Sequence, residues 1–403
     1  MMDGPAASAF PPDTIARAQR YLSSMGGVGA YTDSRGAPVL REEICKGIER
    51  RDGYPAHPND IFMTDGATPC VHAALKCLLR DEKDAILTPI PQYPLYSACI
   101  TLYDGTLLPY YLDEERGWSC SIDSLRSVVH QARQEGKNVR ALVVINPGNP
   151  TGQCLGYQNQ VEIVKFCNEE GIILMADEVY QTNVYHPERN FTSFKKVIRD
   201  LGDECANLPL FSMMSTSKGF YGECGRRGGY MEVVNVTPEV QATLYKLASI
   251  NLCANTAGQV TMACVMNPPQ EGEPSFAQYD QEKRGLLDSL ARRAKKLSAA
   301  MNTQMEGVSC NDPEGAMYLF PTITIPKQAE EYAATLGKKG EWVYCMSLLE
   351  EEGIVCVPGG GFGQKEGTAH FRITFLPSEE DMDNVVERLT RFHKSFLAKY
   401  GGI

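Results

Sequence analysis

Short apolar segments alternate with segments of helical spacing between residues 60 and 235. Six segments are apolar at nearly every position, which is typical of strands buried on both faces of a parallel sheet. Between two of them, residues 161–170 have apolar positions at helical spacing and stop at Gly171, a residue that favours a helix C-terminus. The alternation predicts an α/β fold with a mostly parallel sheet, its strands at residues 61–64, 85–88, 139–145, 172–176, 210–214 and 229–234.

The pattern changes after residue 235. Residues 238–252 have helical spacing, and a much longer helical segment over 275–301 begins with the capping-box arrangement Ser275-x-x-Gln278. A helix of that length could connect two domains. Its position predicts a large domain over residues 29–274 and a linking helix with a smaller α/β domain over 275–403. The smaller domain is predicted to contain, in order, a strand at 318–325, a helix at 341–352 closed by Gly353, strands at 354–357 and 370–376, and a final helix from Ser378.

Composition and charge favour a globular protein that handles small molecules. The 403 residues are 43% hydrophobic and 22% charged, close to ordinary globular usage. A net charge of −11 without a cluster of Lys and Arg argues against nucleic acid as a partner, because binding to its phosphates requires cations. No segment approaches about 20 consecutive apolar residues, so no membrane span is predicted.

Cysteine and histidine give no sign of a disulfide framework or a metal site. The 14 cysteines are scattered without a Cys-x-x-Cys pair, and Cys70, Cys77, Cys167 and Cys356 lie in apolar segments. We predict that they are buried free thiols in a reducing compartment. The six histidines lack the spacing of metal ligands, so no metal is expected.

The first candidate binding motif is Thr64-Asp65-Gly66-Ala67-Thr68-Pro69, between a predicted strand and a predicted helix. Thr68 can cap that helix, and Pro69 suits its first position. The free backbone N–H groups of Gly66, Ala67 and Thr68 would then point at one spot, and the start of a helix favours a phosphate there. An ordinary capped turn is the alternative interpretation.

Two further motifs follow buried strands. Asn149, in Asn146-Pro147-Gly148-Asn149-Pro150-Thr151-Gly152, lies where open α/β sheets bind ligands, although the Pro and Gly residues also suit a tight turn. Asp177 lies at the end of the next strand, where a carboxylate is costly to bury unless a cation such as a protonated pyridine nitrogen pairs with it. Tyr180 could then reach the ring oxygen. An Asp that caps the next turn is the alternative.

A fourth motif, Ser215-Thr216-Ser217-Lys218-Gly219-Phe220, directly follows the strand predicted at 210–214. Arg226 and Arg227 follow in a glycine-rich run. A lysine at this position can form a Schiff base while neighbouring hydroxyls and guanidiniums bind a phosphate. A surface lysine in a Ser-rich turn is the alternative, and it explains neither the arginines nor the glycines.

These four motifs occur in one order, each at the same kind of position in a parallel sheet, and at this point the chain resembles class I pyridoxal-phosphate-dependent aminotransferases. The resemblance extends from about residue 10 to the C-terminus and implies the aspartate-aminotransferase-like fold, with pyridoxal phosphate as the cofactor. Further runs resemble the alanine aminotransferase subgroup, namely Pro89-Ile90-Pro91-Gln92-Tyr93-Pro94-Leu95-Tyr96, Ala176-Asp177-Glu178-Val179-Tyr180-Gln181, Ser193-Phe194-Lys195-Lys196, Gly222-Glu223-Cys224-Gly225 and Gly315-Ala316-Met317-Tyr318.

The resemblance also implies roles for single residues. Lys218 would hold the cofactor as a Schiff base and move the proton of the substrate α-carbon, and Asp177 would pair with the pyridine nitrogen. Arg372, in His370-Phe371-Arg372-Ile373-Thr374, would bind the substrate carboxylate through two parallel hydrogen bonds, a planar geometry that suits a guanidinium. Asn149 and Tyr180 would bind the ring oxygen, with Asn149 also at the substrate.

The remaining implied contacts are to the cofactor ring and its phosphate. Tyr93 would stack on the ring, and Tyr31, in Gly29-Ala30-Tyr31, would reach the phosphate of the other subunit in a homodimer. Arg227 is preferred over Arg226 because the family pattern Gly-x-Arg-x-Gly fits residues 225–229 in that register. The predicted phosphate ligands of the same subunit are Gly66, Ala67, Thr68, Ser215 and Arg227.

The implied reaction is the interconversion of L-alanine and 2-oxoglutarate with pyruvate and L-glutamate, by a ping-pong mechanism in the cytoplasm or the mitochondrion. A related aminotransferase acting on glyoxylate or aromatic substrates is the alternative. The resemblance also implies a segment ahead of residue 1 that embraces the partner subunit and completes the substrate pocket, with residues 1–28 as its remnant. On that basis a cofactor-binding but inactive form is a third possibility.

Overall fold

A seven-stranded sheet forms the centre of the computed structural model, which describes residues 7–186 and 188–403. Across the sheet the strand order is β1-β7-β6-β5-β4-β2-β3, where β7 is antiparallel to both of its neighbours and the other adjacent strands are parallel. The strands are β1 (Ile61–Thr64), β2 (Asp84–Ile90), β3 (Thr106–Tyr111), β4 (Asn138–Ile145), β5 (Ile173–Asp177), β6 (Leu210–Ser215) and β7 (Gly229–Val234).

Thirteen α-helices lie in the described part of the chain. They are α1 (Pro12–Met25), α2 (Pro38–Asp52), α3 (Thr68–Leu78), α4 (Leu95–Leu102), α5 (Ile122–Gln134), α6 (Tyr157–Glu170), α7 (Phe194–Asp200), α8 (Pro238–Ile250), α9 (Thr256–Met266), α10 (Phe276–Gln304), α11 (Lys327–Thr335), α12 (Gly340–Glu352) and α13 (Glu379–Lys399). None of the helices within residues 7–186 and 188–403 is both long enough and apolar enough to cross a bilayer.

The central sheet is buried because helices cover both of its faces. Along β4, Leu142 and Val144 enter the core that contains side chains of α5, α6 and α7, whereas Val143 and Ile145 enter the core formed with α3, α4 and α8. Successive strand residues point to opposite faces, so a strand covered on both sides must be apolar throughout. This is why these strands could be predicted from continuous apolar runs.

A separate core lies in the C-terminal part of the chain, where α10, α11, α12 and α13 contribute most of its side chains. Two small sheets pack there, with orders β10-β8 and β11-β12-β9. Their strands are β8 (Val308–Ser309), β9 (Tyr318–Leu319), β10 (Thr322–Ile323), β11 (Val357–Pro358) and β12 (Phe371–Thr374). The N-terminal helix α1 instead packs on α2 and α9, through Tyr21 and Met25. The first six residues of the predicted N-terminal remnant lie outside the described residues.

All six strands predicted for the large sheet are confirmed, with bounds that differ by at most two residues. The sequence interpretation missed β3, an edge strand that contains Pro109 and in which only Tyr110 is fully buried. The strand predicted at 318–325 is two short strands separated by Phe320 and Pro321, and the strand predicted at 354–357 overlaps the observed β11 only at Val357.

The capping box predicted at the start of the long helix is wrong. Ser275 is the N-cap of α10, but its side chain makes no capping hydrogen bond and instead donates to Asp13 in the first turn of α1. The Ser275 hydroxyl is therefore bound to a carboxylate distant in sequence instead of to the backbone of its own helix. Gly171 and Gly353 end their helices in the left-handed conformation as predicted.

The cysteines are free thiols, as predicted. Cys70 and Cys167 are buried, but Cys77 and Cys356 are only partly buried, so the prediction of full burial is wrong for these two. Cys224 is exposed and belongs to the glycine-rich run after Lys218. Burial raises the pKa of the Cys167 thiol well above its ordinary value, which keeps this thiol protonated and unreactive.

Candidate active site

The ends of β4, β5 and β6 open into one cleft of about 1030 Å³, counting its open mouth. Ligands bind at this end of the strands in open α/β sheets. The cleft is lined by every residue predicted for the site except Gly66 and Tyr31. The predicted residues in it are Ala67, Thr68, Tyr93, Asn149, Asp177, Tyr180, Ser215, Lys218, Arg227 and Arg372.

Asp177 is the buried carboxylate of the cleft, at the last position of β5 and only 7% exposed. Its Oδ2 atom accepts a hydrogen bond of 2.9 Å from the Tyr96 hydroxyl, and Oδ1 accepts one of 3.4 Å from the backbone N–H of Val179. Neither donor carries a positive charge. Burial therefore raises the pKa of Asp177 above its ordinary value, and a cation beside it would stabilise the charged form.

Lys218 lies in the loop after β6, beside two tyrosines. Its Nζ atom donates a hydrogen bond of 3.3 Å to the Tyr318 hydroxyl and lies 5.6 Å from the centre of the Tyr180 ring. The Tyr180 hydroxyl also donates to Tyr318, at 3.1 Å, and Tyr180 is buried. The Tyr318 hydroxyl thus accepts hydrogen bonds from both the amine and the other phenol.

Arg372 enters the cleft from β12, on the C-terminal side. Its Nη1 atom donates to Oδ1 of Asn149 at 3.1 Å, and its guanidinium lies 4.3 Å from the Tyr318 ring centre and 4.7 Å from that of Phe362. The Nε atom of Arg372 is buried without a hydrogen-bond partner in the described chain. A guanidinium held between two rings with a free donor is suited to a planar carboxylate.

The start of α3 forms another end of the cleft, and its N-cap differs from the predicted one. Thr68 does not cap the helix: the N-cap is Ala67, without a side-chain capping bond, and Thr68 is the first helical residue. The backbone N–H of Gly66 donates to Thr64 at 2.9 Å, so it is not free as predicted. The N–H groups of Ala67 and Thr68 have no protein acceptor within the residues described, and they remain available to an anion.

Arg227, not Arg226, is the arginine that lines the cleft. Its Nη2 atom donates to the carbonyl oxygen of Asp65 at 2.7 Å, and Nη1 donates to that of Cys224 at 3.0 Å. A Cβ atom at Gly66 would clash with this guanidinium, and Gly66 has φ +87°, so glycine is required there. Arg226 is largely exposed and faces Glu223 instead. Gly66 therefore borders the cleft through Arg227 rather than lining it.

Two predicted aromatic residues differ in placement. Tyr93 lines the cleft with 40% of its surface exposed, whereas Tyr31 is 79% exposed and lies outside the cleft of its own chain. Its predicted role toward a second subunit stays a prediction.

Two site residues were missed from the sequence although both lie in quoted motifs. Tyr96 is the last residue of the Pro89–Tyr96 run and donates to Asp177, and Tyr318 is the last residue of the Gly315–Tyr318 run and contacts Lys218. Helical spacing places Tyr96 on the buried face of α4, which was a signal only of packing. Nothing in the spacing connects Tyr318 with Lys218, 100 residues earlier.

The residues of the cleft fit pyridoxal phosphate. A planar ring with a cationic nitrogen would give the buried carboxylate of Asp177 the charge partner it lacks, and Lys218 is the one lysine that lines the cleft in the described chain. The free N–H groups at the start of α3, the Ser215 hydroxyl and the Arg227 guanidinium suit a phosphate. The donor set therefore matches the three chemical features of this cofactor.

Comparison with known proteins assigns the family. The chain belongs to the class I and II aminotransferases, whose family model matches residues 2–389, and it has the aspartate-aminotransferase-like fold.

Within this family, the chain is similar to alanine aminotransferases. It is 54% identical to the mitochondrial alanine aminotransferase 2 of Arabidopsis thaliana, over 97% of this chain and 73% of the relative. It is 49% identical to glutamate–glyoxylate aminotransferase 2 of the same plant, over 97% of this chain and 82% of the relative. The alanine aminotransferase structure from Pyrococcus furiosus superposes with a TM-score of 0.77 and 29% identity, over 96% of this chain and 88% of that one.

Proposed function

We propose that this aminotransferase uses pyridoxal phosphate to interconvert L-alanine and 2-oxoglutarate with pyruvate and L-glutamate. The observation that carries the proposal is that Lys218, the buried Asp177 and the carboxylate-binding arrangement of Arg372 line a single cleft. The similarity to proteins named alanine aminotransferases, at 53% and 54% identity, supports the choice of substrate.

Different residues of the cleft would have different roles in transamination. Bound pyridoxal phosphate would supply an aldehyde for the amino group and a ring that takes up the negative charge developing at the substrate α-carbon. Ala67, Thr68, Ser215 and Arg227 would bind its phosphate, and Asp177 would hold a proton on its ring nitrogen. Lys218, once its amine is free, is the base within reach of the α-proton.

Arg372 is proposed to hold the α-carboxylate, and Asn149 orients it. The 3.1 Å hydrogen bond from Arg372 to Asn149 fixes one edge of the guanidinium, and the Tyr318 and Phe362 rings flank it. Held this way, the guanidinium sets the substrate α-carbon in one orientation toward the amine of Lys218.

Replacing Arg372 with lysine is expected to raise KM for both the amino acid and the keto acid roughly 10–100-fold, with a smaller change in kcat. A lysine keeps the charge but loses one charge-assisted hydrogen bond, which contributes about 1.5–3 kcal/mol. Steady-state kinetics with both half-reactions measure this. The matched control is Arg391→Lys, on the exposed face of α13, and unchanged KM values in Arg372→Lys would assign the carboxylate to another residue.

Substrate choice is tested by comparing donor and acceptor pairs in the purified chain, with bound pyridoxal phosphate quantified on the same sample. We expect kcat/KM for alanine with 2-oxoglutarate to exceed that for glutamate with glyoxylate by about tenfold or more, since one suitable contact changes transition-state binding by about 1–3 kcal/mol. The reverse ranking would favour the second candidate, a glutamate–glyoxylate aminotransferase, to which the relative at 49% identity points. Cofactor binding without turnover of any pair would contradict both.

Three organisational features complete the proposal. Residues 29–274 would form the cofactor domain and residues 275–403 the linking helix and smaller domain, supported by their separate cores.

Exposed Tyr31 would reach a second copy in a homodimer. The proposed compartment is the cytoplasm or the mitochondrion, the latter because the Arabidopsis thaliana relative is named as mitochondrial.

A further inference from the structure

Tyr318 contacts both the amine and the guanidinium of the cleft. Its hydroxyl oxygen accepts hydrogen bonds from Lys218 Nζ at 3.3 Å and from the Tyr180 hydroxyl at 3.1 Å. The face of the same ring lies 4.3 Å from the Arg372 guanidinium, and the residue is only 7% exposed. One side chain thus connects the base of the proposed reaction with the residue that would orient its substrate.

The backbone fixes this tyrosine from both sides. In β9, Tyr318 pairs with Thr374 of β12, the strand that carries Arg372. On the other side, the segment before Tyr318 is bonded to the loop after β5: the N–H of Ala316 donates to the carbonyl oxygen of Asn183 at 3.0 Å. A Cβ atom at Gly315 would lie 2.6 Å from the carbonyl oxygen of Asn183, so only glycine allows this approach. The hydroxyl of Tyr318 therefore has a defined position.

The two hydrogen bonds also change the character of the phenol. Burial opposes its ionisation, yet the charge of Lys218, the hydrogen bond from Tyr180 and the charge of Arg372 leave the pKa of Tyr318 below its ordinary value. An oxygen that accepts two hydrogen bonds is a firm anchor for an N–H group. An amine that donates to this oxygen keeps its lone pair directed elsewhere, where it can accept a proton.

We propose that Tyr318 is a positioning residue for the reaction: its hydroxyl holds the free amine of Lys218 in the orientation needed to take the substrate α-proton. Lys218 has a free amine whenever it is not bonded to the cofactor. The ring of Tyr318 has a second role, separate from that of the hydroxyl: it packs against the Arg372 guanidinium. This inference rests on the proposed transamination and gives a role to a residue for which the sequence predicted none.

The test separates the hydroxyl from the ring. Tyr318→Phe keeps the ring under Arg372 and removes the anchor, so we expect kcat to fall about 10–100-fold with KM within about twofold, because small misplacement of a reacting group costs up to about 100-fold. Tyr318→Leu removes both parts and should raise KM as well. A second readout uses cofactor-free protein: the rate at which pyridoxal phosphate becomes fixed to Lys218, trapped with borohydride and measured by peptide mass, should fall several-fold in Tyr318→Phe.

Tyr185→Phe is the matched control. The Tyr185 hydroxyl donates at 2.7 Å to the carbonyl oxygen of Ala316, two residues before Tyr318, but Tyr185 does not line the cleft. A merely structural need for a phenol hydroxyl where β9 meets the loop after β5 would give both variants the same loss, and that result would overturn the proposal. So would wild-type kcat and fixation rate in Tyr318→Phe. If instead Lys218→Ala retained turnover, the proposed function itself would fail, independently of Tyr318.

Discussion

Replacing Lys218 with alanine is expected to abolish the absorbance of covalently bound pyridoxal phosphate and to lower alanine transamination by at least about 10⁴-fold, the upper range for a positioned acid–base group. The reason is geometric. Lys218 is the one lysine lining the cleft in the described chain, and no other amine could form the covalent link or take the α-proton. The measurement combines kcat by coupled pyruvate detection with absorbance spectra of the purified variant.

Lys196→Ala is the control for this change, because Lys196 forms an ion pair with Asp200 and does not line the cleft. It should retain wild-type spectra and turnover. Borohydride reduction of the wild-type protein followed by peptide mapping should find the cofactor on Lys218. Fixation on any other lysine would contradict the whole assignment of the site.

Much of the large sheet could be predicted from the sequence because burial on both faces forces continuous apolar runs. The edge strand β3 could not, since Pro109 and its partly exposed residues resemble a loop. The short strands of the C-terminal part were predicted with less accuracy for a related reason. With two residues each in β9 and β10, and Pro321 between them, periodicity has too few positions to set a boundary.

The site residues that could be predicted are those that follow strands or begin a helix. Asp177, Lys218 and the start of α3 are set by local geometry, so position in the chain indicated their chemistry. Tyr96 and Tyr318 act through contacts made only when distant elements pack together, as between β9 and the loop after β6. The free N–H of Gly66 was predicted wrongly because the turn closes on Thr64, a detail of backbone conformation that residue types do not specify.

Asp177→Asn is expected to leave pyridoxal phosphate bound but to lower turnover by about 10³-fold or more, the order of loss seen when a positioned electrostatic partner is removed. Asparagine has nearly the same shape and can still accept the hydrogen bond from Tyr96, so packing is preserved. It cannot supply the negative charge that keeps a proton on the ring nitrogen. Phosphate binding relies on the distant start of α3 and on Arg227, and is unaffected. The measurements are kcat for alanine and cofactor content by absorbance.

Glu178→Gln is the matched control for Asp177→Asn, since it removes a buried carboxylate from the next residue. Glu178 accepts hydrogen bonds from Ser212 at 2.6 Å and from the Phe194 N–H at 2.8 Å, and it does not line the cleft. Burial raises the pKa of Glu178 to about 7, so a neutral side chain is already accessible there near neutral pH. We expect its variant to keep turnover within a few-fold of wild type, with any thermal destabilisation reported by Tm. That result would mean that the reaction requires the charge of Asp177 and not merely a buried carboxylate at this strand end. Equal losses of turnover in both variants, or wild-type kcat in Asp177→Asn, would instead assign the ring nitrogen to a different partner.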